Sequence, residues 1–299
     1  MTKTKIFLTL LLFASTSFGQ TNYEKFKKYF QDKDTTKAKQ LLTSWEKANL
    51  NDPELYTSAF NYYFSRSKQE IISLERTQKG SESLALTDST GKEAGFLNSN
   101  VGFNSDYLKK AFYYVDKGIE KFPNRLDIRF GKCFVLGKLE DYKKFTTEII
   151  NTVEYSNKIK CNWLWTESKK LDDAENFMLG SIQSYLKQLY DTENDGLLEN
   201  IKQIGDLTIK YYPNCVEVLS TTSVAYMLTK NYDKAIEYLK QAEKVNPKDF
   251  IVLANIAEGY KRKGDKENAI KYCELVIKYG DEQAKQQAKE TIKKLKSGK

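Results

Sequence analysis

Residues 232–249 read YDKAIEYLKQAEKVNPKD, and their reading decides the fold. Two small residues, Ala235 and Ala242, stand seven apart on a helical pattern, and Pro247 follows. A residue that precedes proline is pushed out of the α region, so the helix stops before Pro247. Thin side chains belong where a neighbouring helix axis passes close overhead. The stretch therefore reads as a helix pressed against another helix.

The other prolines, Pro53, Pro123 and Pro213, follow similar patterns: KANLNDPEL, IEKFPNRL and TIKYYPNC. Five residues before the four prolines stand Ala48, Gly118, Thr208 and Ala242; twelve before stand Leu41, Ala111, Ile201 and Ala235. This spacing predicts that each proline closes a closely packed helix. The partner helix spans 216–229, with Leu219, Ser223 and Tyr226 on one face, and the turn KNYD joins the two. The unit 216–249 repeats over 250–283 with Leu253, Ala257, Tyr260, the turn KGDK, Ala269 and Cys273.

These two units resemble the tetratricopeptide repeat (TPR), a 34-residue helical hairpin. That pattern wants a large apolar residue at position 4, small ones at 8, 20 and 27, an aromatic at 11 and proline at 32. The first unit supplies Leu219, Ser223, Ala235, Ala242, Tyr226 and Pro247; the second departs with Val276 at 27 and Asp281 at 32, as suits a last repeat. Residues 284–299 read as a basic capping helix. The resemblance is weaker over 105–154, 170–215 and 20–66. It implies an all-α helical-hairpin solenoid of about six helix pairs plus a C-terminal cap.

Two segments interrupt the pattern. Residues 67–104 hold SLALTD and EAGFL around STGK, which predicts a β-hairpin near 82–98 with IISLERT as a third strand. Residues 155–169, YSNKIKCNWLWTESK, form an irregular break with Trp163 and Trp165. These indoles either plug a joint in the solenoid or stack on a ligand. The aromatic helix with Tyr56, Phe60, Tyr62, Tyr63 and Phe64 must face outward in part or meet the insert.

At the N-terminus, Lys3 and Lys5 precede the apolar run IFLTLLLFA and the small residues STSFG. That order predicts a secretory signal peptide over 1–19, cleaved before Gln20, and a chain that is soluble in the periplasm or cell envelope. No later run is long enough for a membrane span. The formal charge is +8, and +6 without residues 1–20. Residues 283–299 alone contribute +5, so the body is nearly neutral and shows no basic face for nucleic acid.

The sequence contains no histidine, which removes the usual general base and the commonest metal ligand. The cysteines, Cys133, Cys161, Cys215 and Cys273, fit no zinc spacing, and a Cys161–Cys215 bridge stays open. DTENDG (191–196) begins like a calcium loop but has Lys202 where a bidentate glutamate is required. DSTGK (88–92) suits a hairpin turn, and LDDAEN (171–176) a helix start. No phosphate-cradling glycine motif occurs.

The resemblance implies binding without catalysis, cofactor or metal, in a groove lined by the first helix of each repeat. In the clear repeats that means Glu217, Ser220, Val224, Ala254, Glu258 and Lys261, with a protein or peptide as partner. Relatives that clamp a C-terminal carboxylate carry lysine at position 5 and asparagine at 9; here stand Ser220 and Val224, then Ala254 and Glu258. A second reading is a carbohydrate-binding or glycan-uptake accessory protein that uses exposed aromatics. A carboxylate-only hydrolase has no distinguished acid pair to support it.

Overall fold

The computed structural model describes residues 20–78 and 83–297. The predicted signal peptide therefore lies outside the described residues. The described chain is all-α apart from one small sheet, and it divides into two compact units within helix α4 (Ser105–Lys121), between Ala111 and Phe112.

The first unit opens with α1 (Asn22–Gln31), α2 (Thr35–Ala48) and α3 (Pro53–Ser67). Thr21 and Glu24 form a reciprocal capping box that starts α1, and Asp34 caps α2. Pro53 corrects the expected register. It opens α3 at the first helical position behind the cap Asp52, and α2 has already ended at Ala48. The buried residues of α2 are Ala38, Leu42 and Trp45, whereas Ala48 is exposed. The close-packed positions thus lie three residues earlier than the proline count places them. Trp45 donates from Nε1 to Asp52 Oδ2 at 3.0 Å, which ties the end of the hairpin to the cap of the next helix.

The aromatic residues of α3 are all buried, and the insert is one reason. Strands β1 (Lys68–Glu75), β2 (Ser83–Thr87) and β3 (Glu93–Phe103) form an antiparallel sheet in the order β1-β3-β2. Phe64 stacks on Phe103 at the end of β3 with ring centroids 5.9 Å apart, and Tyr63 meets Tyr107. On the other side Tyr62 donates to the Thr35 carbonyl. The hairpin turns at Asp88, whose carboxylate accepts from the Thr90 and Lys92 amides, a turn that DSTGK is built to make. The sheet is longer than expected, because β1 leaves α3 directly and β3 runs on to Phe103.

The second unit stacks the pairs α5/α6 (Leu126–Lys138, Tyr142–Ile159), α7/α8 (Ala174–Tyr190, Leu198–Tyr211), α9/α10 (Val216–Leu228, Tyr232–Val245) and α11/α12 (Phe250–Lys263, Lys266–Tyr279), then α13 (Glu282–Ser297). Its dry seam is where the repeat spacing placed it: Ala235, Ala242 and Ala269 are fully buried, as are Leu219, Ser223 and Leu253. The seam tightens most between α8 and α9. A Cβ on Gly205 would stand 2.0 Å from Thr222 Oγ1, so only glycine lets these helices approach so closely. In the last repeat Asp281, standing where proline is expected, accepts from the Ala284 amide and starts α13. Ala288 of α13 is buried, which makes the helix a cap over the stack.

The break differs from the expected one in extent. Helix α6 continues to Ile159, and the irregular backbone begins at Lys160 and Cys161, both in the left-handed region. Trp163 is fully buried and donates from Nε1 to Ser156 Oγ at 2.9 Å. The Leu126 amide, at the start of α5, donates to the Leu164 carbonyl at 3.0 Å. The segment thus plugs the end of the α5/α6 hairpin. A buried ion pair lies beside it: Arg129 of α5 meets Glu148 of α6 at 3.2 Å and lies over the Tyr155 ring.

Candidate binding groove

Helices α7 and α9 are the first helices of adjacent pairs, and one face of each is left open. On α7 this face carries Asn176, Gly180, Gln183, Lys187 and Tyr190, spaced by three or four residues. On α9 it carries Glu217, Ser220, Thr221, Val224 and Leu228. Helical periodicity puts each set in one line. The opposite faces supply the core, through Met178, Ile182 and Leu186 of α7 and Val218, Leu219 and Thr222 of α9.

Three clefts follow one another between these lines. The middle one, of about 320 Å³, is lined by Gln183, Lys187, Tyr190, Ser220 and Val224, with Asn255 of α11. It shares Gln183 with a larger cleft of about 780 Å³, which the turn after α6 and the turn before α9 close off. It shares Tyr190 and Asp191 with a third cleft of about 480 Å³.

The large cleft brings both half-buried cysteines to one place. Cys161 Sγ lies 3.4 Å from Tyr212 Oη and 3.6 Å from Glu175 Oε2, and Cys215 Sγ lies 3.7 Å from Glu217 Oε2. Both are free thiols, so the bridge left open above is not formed. Burial, then the Cys161 contact, pushes the Tyr212 phenol well up, and burial raises the Cys215 thiol. Neither is an ionised nucleophile at neutral pH.

The expected groove residues are divided among separate clefts. Ser220 and Val224 meet in the middle cleft, and Glu217 lines the large one. Ala254 and Glu258 line a separate cleft of about 170 Å³ beside Ala284 and Ala288 of the cap. Glu258 is ion-paired with both Lys261 and Arg262; burial opposes its ionisation, but these two cations prevail and hold the carboxyl below its usual range. Trp163 is in the core and reaches no ligand surface, and Trp165 packs edge-on against Phe177. Sequence reading missed the contribution of α7, whose open face carries no repeat signature. DTENDG forms the turn into α8, where Asn194 accepts from the Gly196 amide. Among the described residues no acidic or thiol cluster has the geometry to hold a metal, and no helix is long and apolar enough to cross a membrane.

The second unit is an α-helical hairpin solenoid of the tetratricopeptide type. The family model described as Regulator of microtubule dynamics protein 1-3 matches residues 218–296, which cover the two regular repeats and the cap. A comparison with curated proteins gave no match. Among solved structures, the chain is similar to YrrB, described as a TPR protein with an unusual peptide-binding site (16% identity, 62% of this chain and 84% of that one, TM-score 0.38). It is also similar to pilF of Pseudomonas aeruginosa (14% identity, 62% and 80%, TM-score 0.36) and to TTC0263, a thermophilic TPR protein of Thermus thermophilus (13%, 62% and 91%, TM-score 0.37). Scores this low decide nothing about partners, and the assignment of fold rests on the repeat geometry itself.

Proposed function

We propose that this protein is a non-enzymatic scaffold that holds a protein or peptide segment along the open faces of α7 and α9, and that it works in the periplasm or cell envelope. One observation carries the reading: the first helices of adjacent repeats leave a groove lined from both sides, while Met178 and Ile182 of α7 and Leu219 of α9 enter the core. An interaction scaffold needs such a groove, and this groove is what supports the reading. The carbohydrate reading keeps only Trp165 of its two indoles, because Trp163 is buried.

A photo-reactive amino acid placed at Ser220, in the groove, tests this against the same group at Lys244, exposed on α10. In extract from the native cell envelope, a discrete cross-linked species is expected from Ser220 alone. Equal labelling from both positions, or none from either, overturns the scaffold reading.

A further inference from the structure

We infer that the segment held between α7 and α9 is an extended, positively charged peptide of about seven residues, an inference that rests on the scaffold reading above. From Asn176 to Asp191 the groove follows about 22 Å of helix at 1.5 Å per residue. An extended chain covers that length with about seven residues at 3.3 Å each.

The groove is acidic within a body that is nearly balanced in charge. The groove has Glu175 and Glu217 at one end and Asp191, Glu193 and Asp195 at the other, against Lys160 and Lys187. Lys187 is already bound to Asp191, Nζ to Oδ2 at 2.6 Å. Among the described residues, no basic side chain pairs with Glu175, Glu217, Glu193 or Asp195. Both ends of the groove thus offer unspent negative charge, on a protein whose basic excess lies mostly in its last helix. A cationic ligand is attracted there and an anionic one repelled.

The second observation is independent of charge. Gly180 stands in the middle of α7, exposed, where a glycine costs helix stability. A Cβ built there meets nothing within 4 Å, so no neighbour in the free protein requires its absence. Gly180 lines the groove. Bare backbone at that point lets the main chain of a bound peptide lie directly on the helix.

The test uses the full chain and two fluorescein-labelled seven-residue peptides, one alternating lysine and threonine, the other alternating glutamate and threonine, read by anisotropy. The lysine peptide is expected to bind with an affinity that falls as salt rises, and the glutamate peptide is not expected to bind. The variant Glu175→Gln/Glu217→Gln/Asp195→Asn is expected to lose at least about tenfold in affinity and to show a flatter salt dependence. Gly180→Leu, which fills open space and melts no lower than the parent, is expected to abolish binding. Equal binding of both peptides, or unchanged affinity in either variant, overturns the proposal. If the Ser220 cross-link forms but the lysine peptide does not compete with it, the charge assignment fails and the scaffold reading stands. If neither the cross-link nor the peptide complex forms, both fall.

Discussion

Tyr226 donates its phenolic hydrogen to Asp206 Oδ2 at 2.6 Å, and Tyr238 takes the other oxygen of the same carboxylate at 2.9 Å. One acid thus joins α8, α9 and α10 across the boundary between an irregular repeat and a regular one. Thirty-four residues on, the equivalents of both tyrosines recur as Tyr260 and Tyr272, stacked at 5.7 Å, but the position of Asp206 is taken by Lys240, which binds the Tyr272 hydroxyl. The repeat keeps the aromatic pair and changes the sign of its polar partner.

This junction sets an alkaline limit on stability. Burial, and then the hydrogen bond to Asp206, raise the Tyr226 and Tyr238 phenols above their ordinary value. A raised phenol favours the folded state fully while both states are protonated. The unfolded chain loses these protons near pH 10, so stability falls from there upward. Urea midpoints should hold steady from neutral pH to about pH 9 and then decline. In Tyr226→Phe/Tyr238→Phe the decline should be shallower; an equally steep one would place its cause elsewhere.

Ala242 and Ala48 separate the true close-packed register from the apparent one. Both stand five residues before a proline, yet Ala242 is fully buried and Ala48 is exposed. Leucine at 242 should cost about 1–3 kcal/mol through overpacking. Leucine at 48 should change stability by less than about 0.5 kcal/mol. Chemical denaturation of both variants checks the pair.

That contrast shows how far the repeat could be read from sequence. Residues 216–283 were legible because thin side chains, a turn and a proline or its substitute recur at fixed offsets, and the seam gives those offsets their meaning. Pro53 was misleading because proline is equally suited to opening a helix, and only the cap at Asp52 reveals which role it takes. The face of α7 was illegible for another reason. Groove residues such as Asn176, Gly180 and Lys187 are exposed and take no place in the core seam, so packing imposes no pattern on them, and Gly180 reads as an ordinary weak point in a helix until the space above it is known.

Trp163 distinguishes a plug from a ligand platform. It is fully buried, bound to Ser156 and tilted against Tyr155 at 5.7 Å. Alanine there should cost about 3–5 kcal/mol, in line with other buried tryptophans. Alanine at Trp165, which is only partly buried, should cost clearly less. Calorimetric melts of the two variants, compared with the parent, give the order; a harmless Trp163→Ala would remove the plug.

Two glycines in helix interiors test the packing of the second unit from opposite directions. In an open helix, alanine for glycine gains about 0.5–1 kcal/mol, because the unfolded chain loses freedom and the helix gains propensity. Gly180 is open on its exposed side, so Gly180→Ala should realise that gain and raise the melting temperature. Gly205 is in the interior of α8, but its added Cβ would stand 2.0 Å from Thr222 Oγ1 and 2.6 Å from Thr222 Cγ2, both on the β-branched side chain of a buried residue. Thr222 is held there by its own hydroxyl, which donates to the Val218 carbonyl at 2.7 Å. It cannot turn away without losing that bond, so α8 and α9 must separate instead. Gly205→Ala should therefore destabilise by about 1–3 kcal/mol despite its better helix propensity. Combining it with Thr222→Ala, which removes the clashing atoms, should restore part of the loss. Thermal melts of the two single variants and the double variant give all the signs needed, and a Gly205→Ala protein as stable as Gly180→Ala would mean that α8 and α9 lie further apart than this structure places them.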